Sequence, residues 1–226
     1  MLLFVLICAD PLISDDRSLY FQNRLLEKFF LFLRDGQRDH FSGGMTIEDI
    51  CQWNSRPGRF LVKCEPVNEI VTVLQFSKWD GSIGLFNIRY LPNSVRNFQV
   101  AHCSQKQEII TRTFPRMALR LALVGNMYYG TPDLATLPPR LERLYLNKNN
   151  LKGPVNLCSL PETLKCLNLR RNSIDEDYIF YKSLPKNLTG IYLGSNKHIG
   201  GIYAFPETEA TTKKHLFHQI DEKKIH

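Results

Sequence analysis

Arginine, lysine and tyrosine side chains recur at a fixed spacing in the second half of the chain, and these are the groups with binding chemistry. Arg143 and Tyr145 precede Cys166 and Asn168 by 23 residues each. Arginine forks bind carboxylates, and tyrosine adds contact area at low entropic cost. We therefore predict that these residues bind a partner. The predicted set, called the basic strip below, is Arg120, Arg143, Tyr145, Lys148, Asn168, Arg170, Arg171 and Tyr192.

The motifs of the common enzyme classes are absent from the chain. It has no G-x-S-x-G, no G-x-x-x-x-G-K-S/T, no H-E-x-x-H and no C-x-x-C. His215 and His218 have a spacing that metal ligands use, but no cysteine or carboxylate stands at a useful distance from them. We therefore predict no catalytic residue, no metal and no cofactor, although a site assembled from distant residues would leave no such motif.

The elements that would position the basic strip are repeats of L-x-x-L-x-L-x-x-N. Apolar residues at the fourth and sixth positions alternate with polar ones, which predicts a short strand with one buried face. Successive copies start 24, 23, 23, 23 and 24 residues apart, so their strands would stack into a sheet. The copies begin at Val71, Val95, Ala118, Leu141, Leu164 and Leu188.

This pattern resembles the leucine-rich repeat family over about residues 65–205. The G-x-V-x-L of Gly153–Leu157 is similar to the extracellular, plant-type subclass, and similar repeats occur in kinetoplastid surface antigens. The resemblance implies an α/β fold: a leucine-rich repeat solenoid of about six coils. Such a solenoid has a parallel concave sheet, a mostly irregular convex side and an N-terminal helical cap. The resemblance also implies a non-enzymatic scaffold for protein–protein interaction.

The last residue of the repeat has a structural role in this interpretation. After each strand the chain turns inward, and buried backbone amides in that turn need hydrogen-bond partners. An asparagine side chain supplies two donors and an acceptor. We therefore predict a ladder of stacked amides under the turn. Its members are Asn126, Asn149, Asn172 and Asn196, while Trp79 and Cys103 occupy the same position in the first two copies.

Strand alternation predicts which residues leave the core, namely those two, four, six and seven positions after each repeat start. Of these 24 residues six are lysine or arginine and none is acidic. We therefore predict a basic concave face, with an acidic segment of a protein partner docked over Tyr145, Asn168 and Tyr192. The alternatives are a nucleic-acid-binding repeat protein and a regulatory repeat module of an enzyme.

The region before the repeats predicts a cap over the open end of the solenoid. Residues 14–35 and 46–53 have helix signals, separated by a polar linker over residues 35–44. Cys51, Trp53, Val62 and Cys64 resemble the C-x-W-x-G-V-x-C motif of plant-type caps, with seven residues where the family has one or two. The resemblance implies a possible disulfide between Cys51 and Cys64, and the alternative is two buried free thiols.

The ends of the chain have weaker signals. Residues 1–14 are either a possible short secretory signal, an apolar strand, or a segment before a true start at Met45. We divide the remainder into a helical cap region at 15–64, the solenoid at 65–205 and a polar tail at 206–226. The tail would either be disordered or form a short helix near residues 213–220. Asn187 begins a sequon, which is a possible glycosylation site only if the chain is secreted.

Composition sets few limits on function. The chain has 226 residues, is 43% hydrophobic and carries a formal net charge of +7, which weakly favours acidic partners. No apolar run reaches the roughly 18 residues of a membrane helix, so we predict no membrane span. We expect a monomer. Its location is open between the secreted or cell-surface space, through the weak N-terminal signal, and the cytoplasm.

Overall fold

A computed structural model describes residues 15–53, 59–79, 83–205 and 214–226. Within these ranges the α-helices are α1, Asp15–Phe30, and α2, Asp39–Ser42. In chain order the strands are β1 Phe32–Leu33, β2 Phe60–Cys64, β3 Val71–Ser77, β4 Gly84–Leu85, β5 Asn97–Ala101, β6 Arg120–Ala122, β7 Tyr129–Gly130, β8 Arg143–Tyr145, β9 Asn150–Leu151, β10 Cys166–Asn168, β11 Asp175–Tyr181, β12 Gly190–Tyr192, β13 His198–Ala204 and β14 Phe217–His218.

The main sheet of the described residues has eight strands in the order β14-β12-β10-β8-β6-β5-β3-β2. All neighbours pair in parallel except β2 and β3, which are antiparallel. One strand per coil follows from the repeat, and the predicted solenoid of about six coils with a parallel concave sheet is confirmed. Its core is the stack of inward residues Leu121, Leu144, Leu167 and Ile191, which are fully buried.

The side of the solenoid away from the main sheet is more regular than predicted in one part. Before three of the strands it has single turns of 3-10 helix, Ile88–Tyr90, Thr111–Thr113 and Leu134–Thr136. After the asparagine turns, however, β11 and β13 pair in parallel over seven residues each, and β7 pairs with β9. The sequence analysis missed these strands because the pattern that it used ends at the asparagine, although the paired residues of β11 and β13, such as Ile179 and Ile202, are also 23 residues apart.

The N-terminal cap is an aromatic cluster on the first coil. Phe29 of α1 stacks on Phe86 at a centroid distance of 5.4 Å, and Phe76 of the first coil lies 4.2 Å from Phe86. Phe41, which the sequence analysis placed in a polar linker, is buried in α2 against Phe60. These rings cover apolar surface that a solenoid leaves open at its end.

The helices of the cap are shorter than their sequence signals. The helix predicted over residues 14–35 ends at Phe30, because Phe32 and Leu33 pair with the antiparallel strand β4 instead. The helix predicted over residues 46–53 is a single 3-10 turn at Ile50–Gln52. Thr46 and Asp49 have capping-box spacing and contact each other before this turn, since the Thr46 hydroxyl donates to the Asp49 carboxylate at 2.8 Å, but the turn has no side-chain cap. In both places tertiary pairing overrides local propensity.

The C-terminal residues 214–226 pack on the last coil. The predicted short helix is reduced to a 3-10 turn at Lys214–Leu216, and β14 then extends the main sheet beside β12. Leu216, Phe217 and Ile225 are buried. The apolar end of the sixth coil is therefore covered by this segment.

Candidate partner-binding surface

The sheet register aligns the outward side chains in rows that cross the strands. One row contains Arg120, Arg143, Cys166 and Gly190, each paired with the next across adjacent strands. A second row, two residues later on each strand, contains Ala122, Tyr145, Asn168, Tyr192 and His218. Neighbouring strands lie about 4.8 Å apart, so the structure brings the predicted strand residues of the basic strip onto one surface.

Tyr145 lies between an arginine and a cysteine on this surface. The Arg120 guanidinium carbon lies 5.4 Å from the Tyr145 ring centroid, a cation–π arrangement that orients the ring. Cys166, on the following strand, is half-buried and carries a free thiol. Burial raises the pKa of both the Tyr145 phenol and the Cys166 thiol, which keeps the two groups neutral near pH 7.

Glu142 is an acidic member of the surface that the sequence analysis missed. Its carboxylate lies 2.9 Å from the Lys165 ammonium and 3.7 Å from the Arg143 guanidinium. The hydrogen bond from Lys165 lowers the pKa of the Glu142 carboxyl, so the carboxylate is charged. Glu142 stands one position before the outward set that we counted. It partly compensates Arg143, and the expected repulsion among the arginines is smaller there.

Lys148 and Arg171 lie past the strand ends, in the inward turn. Their φ angles are 59° and 54°, in the left-handed region. The same position is left-handed in every coil, with Lys78, His102, Gly125 and Ser195 at the other turns. Sequence analysis had placed these residues on the strands. Because both side chains are exposed, they form the rim of the basic strip beside the asparagine turn.

Arg170 lies two residues after Asn168, where the chain leaves the sheet. Its backbone N–H donates to the Asn168 side-chain oxygen at 3.1 Å. In the described part of the chain no acidic side chain forms an ion pair with Arg170 or Arg171. Lys148, Arg170 and Arg171 are therefore a cluster of cations without an acidic partner among the described residues at this end of the strands, while Arg120, which also has none, contacts the Tyr145 ring at the other end.

His218 belongs to the surface although the sequence analysis did not include it. It pairs with Tyr192 across β12 and β14, and the two rings stack at a centroid distance of 4.6 Å and an angle of 18°. A Cβ on Gly190 would lie 2.7 Å from the imidazole, so glycine leaves room for the stack. Phe217 follows its strand partner Ile191 by 26 residues, outside the 23–24-residue period. Because of this irregular spacing, the repeat pattern did not predict β14.

The asparagines hold the inward turns beneath this surface. The Asn149 side-chain oxygen accepts from the Tyr128 N–H at 3.1 Å, and its nitrogen donates to the Leu123 carbonyl at 2.8 Å and the Leu146 carbonyl at 3.0 Å. The same arrangement recurs one coil earlier and one coil later. Asn126, Asn172 and Asn196 each link carbonyls of their own coil to backbone groups of the preceding coil.

Cys103 takes the asparagine position in the second coil without supplying equivalent hydrogen bonds. It is fully buried, and burial raises the pKa of its thiol to about 11. The Asn126 side-chain oxygen accepts from the Cys103 N–H at 3.0 Å, so the next coil satisfies this turn. The buried thiol acts as a small apolar side chain in the core.

The remaining predicted site residues lie away from the strip. Cys51 and Cys64 form a disulfide with Cα atoms 5.8 Å apart, which joins the 3-10 turn of the cap to β2. Asn187 is exposed, and the Thr189 hydroxyl of its sequon donates to the Lys165 carbonyl at 2.7 Å. Among the described residues, no three histidine, cysteine or acidic side chains converge as metal ligands would. None of the helices described is long and apolar enough to cross a membrane.

Comparison with known proteins supports the architecture. The sequence matches no protein-family model, and it matches no curated protein. Among solved structures the chain is similar to the crystal structure of PEPR1-AtPEP1, with a TM-score of 0.52 and 19% identity over 80% of this chain. The chain spans only 25% of the length of that chain. The narrower resemblances, to the plant-type subclass and to kinetoplastid antigens, stay predictions, but the fold is that of a leucine-rich repeat solenoid.

Proposed function

We propose that this chain is a non-enzymatic leucine-rich repeat scaffold, monomeric on its own, that binds an acidic segment of a protein partner on the basic strip. The observation that carries the proposal is the cluster of uncompensated cations at one end of the strands. Lys148, Arg170 and Arg171 are within two adjacent coils, and no ion pair among the described residues neutralises them. Unpaired like charges on adjacent coils repel each other, and an anionic partner would relieve this repulsion.

The fold and the side chains beside the cations support a protein partner. The similar structure, PEPR1-AtPEP1, is named for two components, which is consistent with a solenoid that holds a partner. Tyr145 and Tyr192 are half-buried in the row between the level of Arg143 and the level of Arg170, where they offer ring surface to a bound segment. The partner segment would lie over these rings and over Asn168, with its carboxylates toward the arginine forks.

Replacing Arg143, Arg170 and Arg171 together with alanine should weaken partner binding by about 2 kcal/mol, roughly 30-fold, without unfolding the protein. The affinity is to be measured by calorimetry with the protein that the wild-type chain recovers in a pull-down. The matched control replaces Arg112, Arg116 and Arg140, three exposed arginines outside the main sheet. It removes the same charge and should leave the affinity within about twofold.

Three outcomes would contradict the proposal. Equal loss in both triple variants would mean that net charge, and not the strip, determines binding. Unchanged affinity in the strip variant would place the site on the convex side or at the termini. Tight binding to DNA or RNA that falls steeply with salt, lost in the strip variant, would favour the nucleic-acid alternative.

A further inference from the structure

Two tyrosines of the basic strip flank Asn168 symmetrically. Tyr145, Asn168 and Tyr192 are neighbours in one row of three adjacent strands. At a strand spacing of about 4.8 Å the two tyrosine backbones are about 9.6 Å apart, with the shorter asparagine side chain between them. In this row two long aromatic side chains therefore flank a shorter polar side chain.

Each tyrosine is supported from the strand on its outer side. Arg120, from β6, lies over the Tyr145 ring at 5.4 Å, and His218, from β14, stacks on Tyr192 at 4.6 Å. These neighbours cover one face of each ring and restrict its rotation. The opposite face of each ring is on the side of β10, the strand of Cys166 and Asn168. Tyr145, Asn168 and Tyr192 are half-buried, so part of their surface reaches solvent.

Asn168 forms the floor between the rings with a free donor. Its side-chain oxygen accepts from the Arg170 N–H, and the amide nitrogen takes no part in that bond. Within the described part of the chain no residue accepts a hydrogen bond from that nitrogen. An amide N–H can donate to a carbonyl oxygen or to the face of an aromatic ring.

Cations lie on both sides of this floor along the strand direction. Arg143 is level with Cys166, two residues before Asn168, and Arg170 is two residues after it. These two levels are about 13 Å apart at 3.3 Å per residue. In an extended peptide, side chains two positions before and two positions after a given residue are on its own side and also span about 13 Å.

We propose that Tyr145 and Tyr192 form a clamp that takes one aromatic side chain of the bound segment over Asn168. The arginine levels then select an acidic residue two positions before and two positions after that aromatic residue. This inference rests on the proposed function and specifies its ligand as an extended acid-x-aromatic-x-acid segment. His218 is a positioning residue in the clamp, since it supports Tyr192 from behind.

Three fluorescein-labelled peptides test the clamp by fluorescence anisotropy. The first is Gly-Glu-Ala-Phe-Ala-Glu-Gly, the second has alanine in place of phenylalanine, and the third, Gly-Phe-Ala-Glu-Glu-Ala-Gly, has the composition of the first. The first peptide should bind the wild-type chain about tenfold more tightly than either of the others. In Tyr145→Ala and in Tyr192→Ala this preference should fall to within about twofold.

Matched variants separate loss of the clamp from loss of the fold. Tyr129→Ala removes an exposed tyrosine of β7, outside the main sheet, and should keep the tenfold preference. A cooperative thermal transition shows that an alanine variant is folded. If Tyr145→Ala or Tyr192→Ala lacks one, the leucine variant at the same position is measured instead. A preference that survives the loss of either tyrosine overturns the clamp. Equal or undetectable binding of the three peptides to the wild type also overturns it. The strip triple variant tests the proposed function separately, through the affinity of the pulled-down protein.

Discussion

Replacing both Cys51 and Cys64 with serine should lower the free energy of unfolding of the unreduced protein by about 3 kcal/mol. The two cysteines are 13 residues apart in sequence, and their Cα separation of 5.8 Å is the usual one for a disulfide. In the chain-entropy account the cross-link lowers the conformational entropy of the unfolded chain, which destabilises the unfolded state relative to the folded protein. The same cross-link holds β2, the edge strand of the sheet, against the cap.

Urea denaturation of the unreduced protein measures this effect, with the same titration in reductant as a second arm. Cys158→Ser is the matched control, because Cys158 is a half-buried free thiol on a loop, and its loss should cost less than about 0.5 kcal/mol. Peptide mapping without reduction should recover Cys51 and Cys64 joined in protein from an oxidising compartment. Identical stability with and without reductant would contradict the expected cross-link.

The parts of the fold that follow the repeat could be predicted from the sequence. Leu121, Leu144 and Leu167 recur at 23-residue intervals and are fully buried at one level of the stack. An apolar residue repeated in phase has one place in a stack of equal coils, so both its orientation and its neighbours follow. Register across the main sheet was predictable for the same reason.

Elements that depend on contacts outside the repeat could not be predicted. Helix α1 stops at Phe30 because β1 finds a partner in β4, some 50 residues later, and no local signal marks that pairing. The Arg171 position looks like a strand residue in the pattern, but its left-handed φ of 54° belongs to the turn. A sequence repeat predicts the spacing of equivalent residues, but it does not predict the backbone conformation at each of them.

The candidate site was predicted in outline, and its neighbours were not. The outward row of Tyr145, Asn168 and Tyr192 followed from alternation along the strands. Glu142 was missed because it lies beside the outward positions and reaches Arg143 only through its side chain. His218 was missed because residues outside the regular period bring it to Tyr192. Long side chains and irregular insertions alter a surface without disturbing the core pattern.

Asn149→Ala should destabilise the protein by about 3 kcal/mol, as judged by urea denaturation. The side chain is 6% exposed, donates to the Leu123 and Leu146 carbonyls and accepts from the Tyr128 N–H. Alanine removes all of these bonds. The Tyr128 N–H is then buried without a partner, whereas the Leu123 and Leu146 carbonyls each keep one donor, the Asn126 and Asn172 amides. A buried unsatisfied N–H costs about 1–3 kcal/mol and each of the two lost donations about 0.5–1.5 kcal/mol, and partial entry of water would limit the sum.

Asn147→Ala is the matched control, because it deletes the same amide two residues earlier in the same coil. Asn147 is half-buried on the outward side, and its carbonyl, which accepts from the Gly125 N–H at 3.1 Å, is untouched by the substitution. Its loss should cost less than about 0.5 kcal/mol.

Asn149→Asp separates the two halves of the amide, since aspartate keeps an acceptor for Tyr128 but cannot donate to the carbonyls of Leu123 and Leu146. It should therefore be destabilised at least as much as the alanine variant, because a charge would be buried against two carbonyl oxygens. Equal effects of alanine at 147 and 149 would mean that the turn does not depend on the asparagine side chain.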